Sequence, residues 1–132
     1  MESDILPVLT ACVEGGLDRA GGVAWKDWVS VCVVLASGGY PERPEKGKVI
    51  RGLDEVKQDK DVFVFHAGTK KVGKDYYTSG GRVLGVTAVG ETYRDAIRKV
   101  YDAVSCISFE GMQFRKDIGA KALALQSGSG SP

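Results

Sequence analysis

Histidine is the scarcest chemistry-bearing residue in this 132-residue sequence: there is one, His66. With no second histidine and no C-x-x-C pair among Cys12, Cys32 and Cys106, the common zinc and dithiol redox motifs are excluded. No stretch approaches the roughly 18 apolar residues of a membrane-spanning helix, and residues 1–5 carry two acids and no basic leader. Net charge is nearly absent too, at +1, which leaves no long-range field to gather nucleic acid or an anionic membrane. The nucleotide-cradling pattern G-x-x-x-x-G-K-[ST] is missing. The odd cysteine count and apolar neighbours predict reduced, mostly buried thiols, hence a cytoplasmic protein.

What the chain does have is glycine, 18 of them, with 43% apolar and 27% charged residues. That composition suits one globular domain with many tight turns and short strands. Residues 1–17 show helical apolar spacing through Ile5, Leu6, Val8, Leu9, Cys12 and Val13, with Ser3 or Asp4 to cap the start and Gly15-Gly16 to end it. Residues 23–28 suggest a short edge strand. Residues 29–36 form a β-branched run that predicts a strand buried on both faces. Residues 48–50 predict a short strand and 54–58 a helical turn. Residues 61–67 predict a central strand covered on both faces, 68–77 a hairpin around Gly73, and 82–89 another strong strand. Residues 91–107 carry the best helical stripe, Ala96, Ile97, Val100, Val104 and Ile107. Residues 120–125 read as a strand or a turn of helix, and the Ser/Gly-rich 126–132 as a disordered linker or tail. The fold class expected is α+β: a small, mainly antiparallel β-rich domain with one long packed helix.

Candidate sites have competing readings. His66 ends an apolar strand and is either a satisfied structural side chain or a substrate-facing one. Gly80-Gly81-Arg82 combines bare backbone, which admits close approach, with a guanidinium that can grip a phosphate in two places; a plain turn before a strand explains the same residues. A hairpin would bring Lys70, Lys71 and Lys74 nearby. Arg115-Lys116-Asp117 reads as a surface cluster or an ion-pair network, and Ser37-Gly38-Gly39 as a turn or an anion nest.

Taken in order, Ala36-Ser37-Gly38-Gly39-Tyr40-Pro41, Lys46-Gly47, Phe65-His66-Ala67-Gly68-Thr69, Gly80-Gly81-Arg82-Val83-Leu84-Gly85-Val86-Thr87-Ala88, Phe109-Glu110-Gly111-Met112 and Arg115-Lys116-Asp117-Ile118-Gly119 resemble the C-terminal domain of the glycinamide ribonucleotide synthetase (phosphoribosylamine–glycine ligase) family. The resemblance covers about residues 30–123. It implies a hybrid-motif-like domain at 23–125, and makes residues 1–22 the terminal helix of a preceding ATP-grasp domain with its linker. The implied reaction joins glycine to phosphoribosylamine in purine biosynthesis, using ATP and Mg²⁺ bound by domains outside this sequence. Those missing ATP-grasp and N-terminal domains are the expected partners, and the chain alone is expected to be inactive: an excised piece or one subunit of a split enzyme. The resemblance also places Arg82, with Gly80 and Gly81, at the position that binds a substrate 5′-phosphate, with Lys70 and Lys74 as further candidates. No residue is assigned to catalysis or to metal. The alternatives are a free-standing sugar-phosphate-binding module and an interaction module docking on an ATP-grasp partner through its first helix.

Overall fold

The computed structural model describes residues 1–19 and 21–128. Helix α1 (Ile5–Glu14) starts where the Asp4 side chain accepts the Leu6 N–H and stops at Gly15, whose left-handed backbone (φ 69°) lets its N–H reach the Ala11 carbonyl. A 3₁₀ turn follows at Leu17–Arg19. Residues 23–28 form no strand, contrary to expectation; the segment is tied to the chain start instead, through Glu2 N–H and Ser3 N–H to the Ala24 carbonyl.

The remaining elements are β1 (Val29–Ala36), β2 (Val49–Ile50), α2 (Leu53–Val56), β3 (Val62–His66), β4 (Thr69–Val72), β5 (Asp75–Thr78), β6 (Arg82–Gly90), α3 (Tyr93–Cys106) and α4 (Ala120–Gly128). They form two antiparallel three-stranded sheets, ordered β1-β6-β3 and β2-β5-β4. The expected α+β class holds. The placement of β3 does not: it is an edge strand, and β6 is the centre.

Side chains alternate across a strand, and here the alternation decides what is buried. Val31, Val33 and Leu35 of β1 and Leu84, Val86 and Ala88 of β6 point to one side, where Ala96, Val100, Ala103 and Val104 of α3 cover them. Cys32 and Val34 point the other way and are exposed, so β1 is buried on one face, not two. Phe63 and Phe65 of β3 are likewise exposed. All three thiols are exposed, which corrects the expectation of buried cysteines: Cys32 lies on the strand face opposite its apolar neighbours, Cys12 is on α1, which has no buried residue, and Cys106 is the last residue of α3.

The Thr92 hydroxyl caps α3 by accepting the Asp95 N–H at 3.1 Å. Lys99 pins the helix to the loop before β3, with Nζ 2.9 Å from Asp61 and 3.0 Å from Asp95. Its ammonium is held above the usual lysine range, chiefly by the hydrogen bond to Asp61 and then by that to Asp95. Helix α4 continues through Gly128 and so enters the stretch expected to be a tail; residues 129–132 lie outside the described residues.

Candidate functional site

The Gly80-Gly81-Arg82 segment enters β6 at the point where three backbones meet. The Ser37 hydroxyl donates to the Gly80 carbonyl and the Ser37 N–H to the Gly81 carbonyl, both at 2.8 Å. The Gly68 N–H donates to the Arg82 carbonyl at 2.8 Å, and Ser79 N–H returns to the Gly68 carbonyl at 2.7 Å. The carbonyls on this stretch are therefore satisfied. By contrast, the N–H groups of Gly80 and Gly81 donate to no protein acceptor among the described residues.

The glycines have local packing reasons as well. A Cβ at Gly68 would stand 2.7 Å from the Gly80 Cα, and a Cβ at Gly81 would enter the Tyr40 ring. Tyr40, in the turn that carries the cis Tyr40–Pro41 peptide, thus roofs Gly81. The local pattern of Ser37-Gly38-Gly39 offers a turn or an anion nest; which ring covers which glycine follows from the long-range bonds of Ser37.

Arg82 is exposed, and its guanidinium forms no ion pair among the described residues. Arg115, by contrast, is locked onto Asp117 by two hydrogen bonds of 2.9 and 2.6 Å, a local exposed pair that settles the reading of that cluster. Two unpaired N–H donors next in sequence to an unpaired guanidinium form a set of anion donors with no protein anion to satisfy them among the described residues.

The predicted lysines separate. The expected hairpin is β4 with β5, paired from Thr69↔Thr78 to Val72↔Asp75. Gly68 and Ser79 at its base touch the Arg82 segment, and Lys70 lies one pair above, opposite Tyr77. Lys74 sits at the far turn, roughly 13 Å along strands that rise about 3.3 Å per residue. It lines a different feature, a cleft of ≈ 330 Å³ between the hairpin tip, β2 and α2, along with Arg51, Lys57, Lys71 and Tyr76. The geometry brings Gly80, Gly81 and Arg82 together, leaves Lys70 at the margin, and puts Lys74 elsewhere.

His66 takes the structural reading. Its ring stacks on Tyr76 at 4.4 Å and Nδ1 lies 3.0 Å from the Thr69 hydroxyl. Partial burial, and secondarily the charge of Lys57, push its pKa below the usual histidine value. Lys71, expected with Lys70 and Lys74 near the Arg82 segment, instead stands 5.5 Å above the other partner in that stack, Tyr76; only the hairpin register reveals the pairing. Among the described residues no three His, Cys, Asp or Glu side chains group as metal ligands. The N–H groups and guanidinium gathered at Gly80–Arg82 are donors and do not fit a Mg²⁺ site. No helix among the described residues is long and apolar enough to cross a membrane.

Residues 30–121 match the family described as phosphoribosylglycinamide synthetase, C domain. A phosphoribosylamine–glycine ligase of Synechocystis is 50% identical over 116 residues, covering 88% of this chain and 27% of the relative. A bifunctional purine biosynthetic protein of Dictyostelium discoideum is 48% identical over 124 residues, covering 93% of this chain and 15% of the relative. The crystal structure of a phosphoribosylamine–glycine ligase from Thermotoga maritima superposes with a TM-score of 0.65 at 35% identity, covering 85% of this chain and 27% of that one. The chain spans about a quarter or less of the length of these relatives.

Proposed function

Because the chain belongs to the phosphoribosylglycinamide synthetase C-domain family, we propose that it serves as the C-terminal part of an ATP-dependent ligase that joins glycine to phosphoribosylamine in purine biosynthesis, in the cytoplasm. The observation that carries this reading is the family match across residues 30–121, which takes in both sheets and α3. The activation of glycine with ATP and Mg²⁺ falls to the domains that precede this one in the relatives. Phosphorylation gives the glycine carboxylate a leaving group, and the intermediate then has to be shielded from water. This domain's share is to wall the substrate side and hold the substrate.

Within that role, Arg82 with the Gly80 and Gly81 N–H groups binds the substrate 5′-phosphate. Their support is the cluster of unpaired donors at one point of the surface. Lys70 approaches from the margin, and Lys74 is too distant to share the same phosphate.

The test fuses this chain behind the upstream part of the Synechocystis ligase, in place of that enzyme's own C-terminal region. ADP release dependent on both glycine and phosphoribosylamine is expected; a folded, inactive fusion would sink the reading. In the active fusion, Arg82→Ala is expected to raise KM for phosphoribosylamine by about tenfold or more, the scale of one lost charge-assisted contact of ~1.5–3 kcal/mol. An unchanged KM removes Arg82 from the site.

A further inference from the structure

One buried hydroxyl stands behind the candidate phosphate site. Ser37, the residue after β1, is only 1% exposed. Its place is set from both sides in sequence. Ala36 donates to the Gln113 carbonyl at 2.8 Å and accepts the Gln113 N–H at 2.9 Å, and the Ser37 carbonyl accepts the Tyr40 N–H at 3.2 Å. The two donors that remain on Ser37 both reach the start of β6. The hydroxyl donates to the Gly80 carbonyl and the N–H to the Gly81 carbonyl, each at 2.8 Å.

Those two bonds set the direction of the groups behind them. The Gly80–Gly81 peptide is trans, and in a trans peptide the C=O and the following N–H point opposite ways. A Gly80 carbonyl held toward buried Ser37 therefore holds the Gly81 N–H away from it. A β-bulge lies beside this point. Leu35 pairs with Leu84 but Ala36 with Arg82, so Val83 has no partner on β1. Burial changes step there: Leu84, Val86 and Ala88 are buried in alternation, yet Val83 is buried and Arg82 exposed. An unbroken alternation would put Arg82 in line with Leu84, on the side that α3 covers; the extra residue turns its side chain outward. The Ser37 N–H bond to Gly81 is the first beyond the bulge and closes it.

We propose that Ser37 is the positioning residue of the phosphate site: without touching the substrate, its hydroxyl holds the Gly81 N–H toward the phosphate, beside the bulge that presents Arg82. The inference rests on the ligase reading and on Arg82 as phosphate ligand, and adds the buried group that preorganises them. A Gly-Gly pair has more backbone freedom to lose than any pair with side chains. Donors fixed before the ligand arrives spare that ordering cost at the moment of binding. A hydroxyl buried behind the strand acts only through the direction of the donors in front of it. Its loss therefore weakens the grip on the phosphate-bearing substrate and leaves the handling of glycine as it was.

The fusion described above is assayed with phosphoribosylamine and glycine varied in turn. Ser37→Ala is expected to raise KM for phosphoribosylamine by about fivefold, the scale of one neutral hydrogen bond, with kcat and KM for glycine within about twofold of the parent fusion. Tyr101→Phe removes hydrogen bonds to Arg115 and Ile118 instead, and is expected to leave all three constants unchanged. Where Ser37→Ala does not fold, Ser37→Cys fills a similar space with a weak donor and carries the same expectation. A folded Ser37 variant with unchanged KM for phosphoribosylamine, beside an Arg82→Ala that raises it, overturns the proposal and leaves the phosphate reading standing. Equal rises in both KM values, a fall in kcat, or the same rise in Tyr101→Phe would mark a general loosening and overturn it as well. A folded, inactive fusion, or an Arg82→Ala with unchanged KM, removes the reading beneath the proposal, and the proposal with it.

Discussion

The two faces of the β1-β6-β3 sheet are built from the same strands at alternating positions, and both carry large apolar side chains. On the inner face Val33, Leu35, Leu84, Val86 and Ala88 are fully buried under α3. On the outer face Cys32, Val34, Phe63 and Phe65 are exposed. Apolar character alone therefore does not say whether a position stabilises this chain or another surface; the difference lies in whether the chain itself brings a helix to cover it. The inner face accounts for stability and the outer face is available for association.

The comparison breaks most visibly at Leu84. Leu84→Ala leaves a cavity between β6 and α3 and is expected to cost about 3 kcal/mol, measured as a shift in denaturant midpoint at constant slope. A cost near zero would mean that the inner face is not the core. A smaller effect is expected at Tyr101, where α3 holds the segment that follows it: the phenol donates to the Arg115 carbonyl at 2.8 Å and accepts the Ile118 N–H at 3.1 Å. Tyr101→Phe is expected to cost about 1 kcal/mol by the same measurement.

Next comes the acid response of the inner layer. Lys99 first, and Arg98 second, hold the Asp95 carboxyl below the usual carboxylate range. A depressed carboxylate adds stability above its unfolded value, about pH 4, and loses it as pH falls through the folded value. Asp95→Asn is therefore expected to flatten the fall in melting temperature below about pH 4, with little change in slope from pH 5 to 8; an unchanged acid limb would count against the ion pair. The smallest effect is on the outer face, where Phe63→Thr and Phe65→Thr are each expected to move stability within about 0.5 kcal/mol. A loss as large as that at Leu84 would erase the distinction between the faces.

Much of the fold is legible in the sequence because its local signals agree. Asp4 and Gly15 bracket α1, Gly73 marks the β4–β5 turn, and the Ala96–Val100–Val104 stripe names α3 and the side it buries. What periodicity does not carry is which apolar face finds its cover within the chain. The runs 29–36 and 61–67 read as strands buried on both sides, and that misplaced β3 at the centre of its sheet. Cys32 followed the same error. At the candidate site, Gly80-Gly81-Arg82 stood out through resemblance. The packing of Gly80 against Gly68 and of Gly81 under Tyr40 joins residues that are distant in sequence, so no local pattern announces it. Lys70 and Lys74 looked equivalent until register put one near the base of the hairpin and the other at its tip.

The crossing of Gly68 and Gly80 also limits how this corner of the protein can evolve. Where a large side chain fills space beside a small one, the two can exchange volume over successive substitutions and leave the fold intact. Here each partner is already bare, and a Cβ at 68 meets main-chain atoms of Gly80 and Arg82 that have nothing to give up. No compensating exchange exists, so position 68 is held to glycine by main-chain packing alone, whereas Arg82 beside it, exposed and free of ion pairs among the described residues, is held by the phosphate-binding role proposed for it.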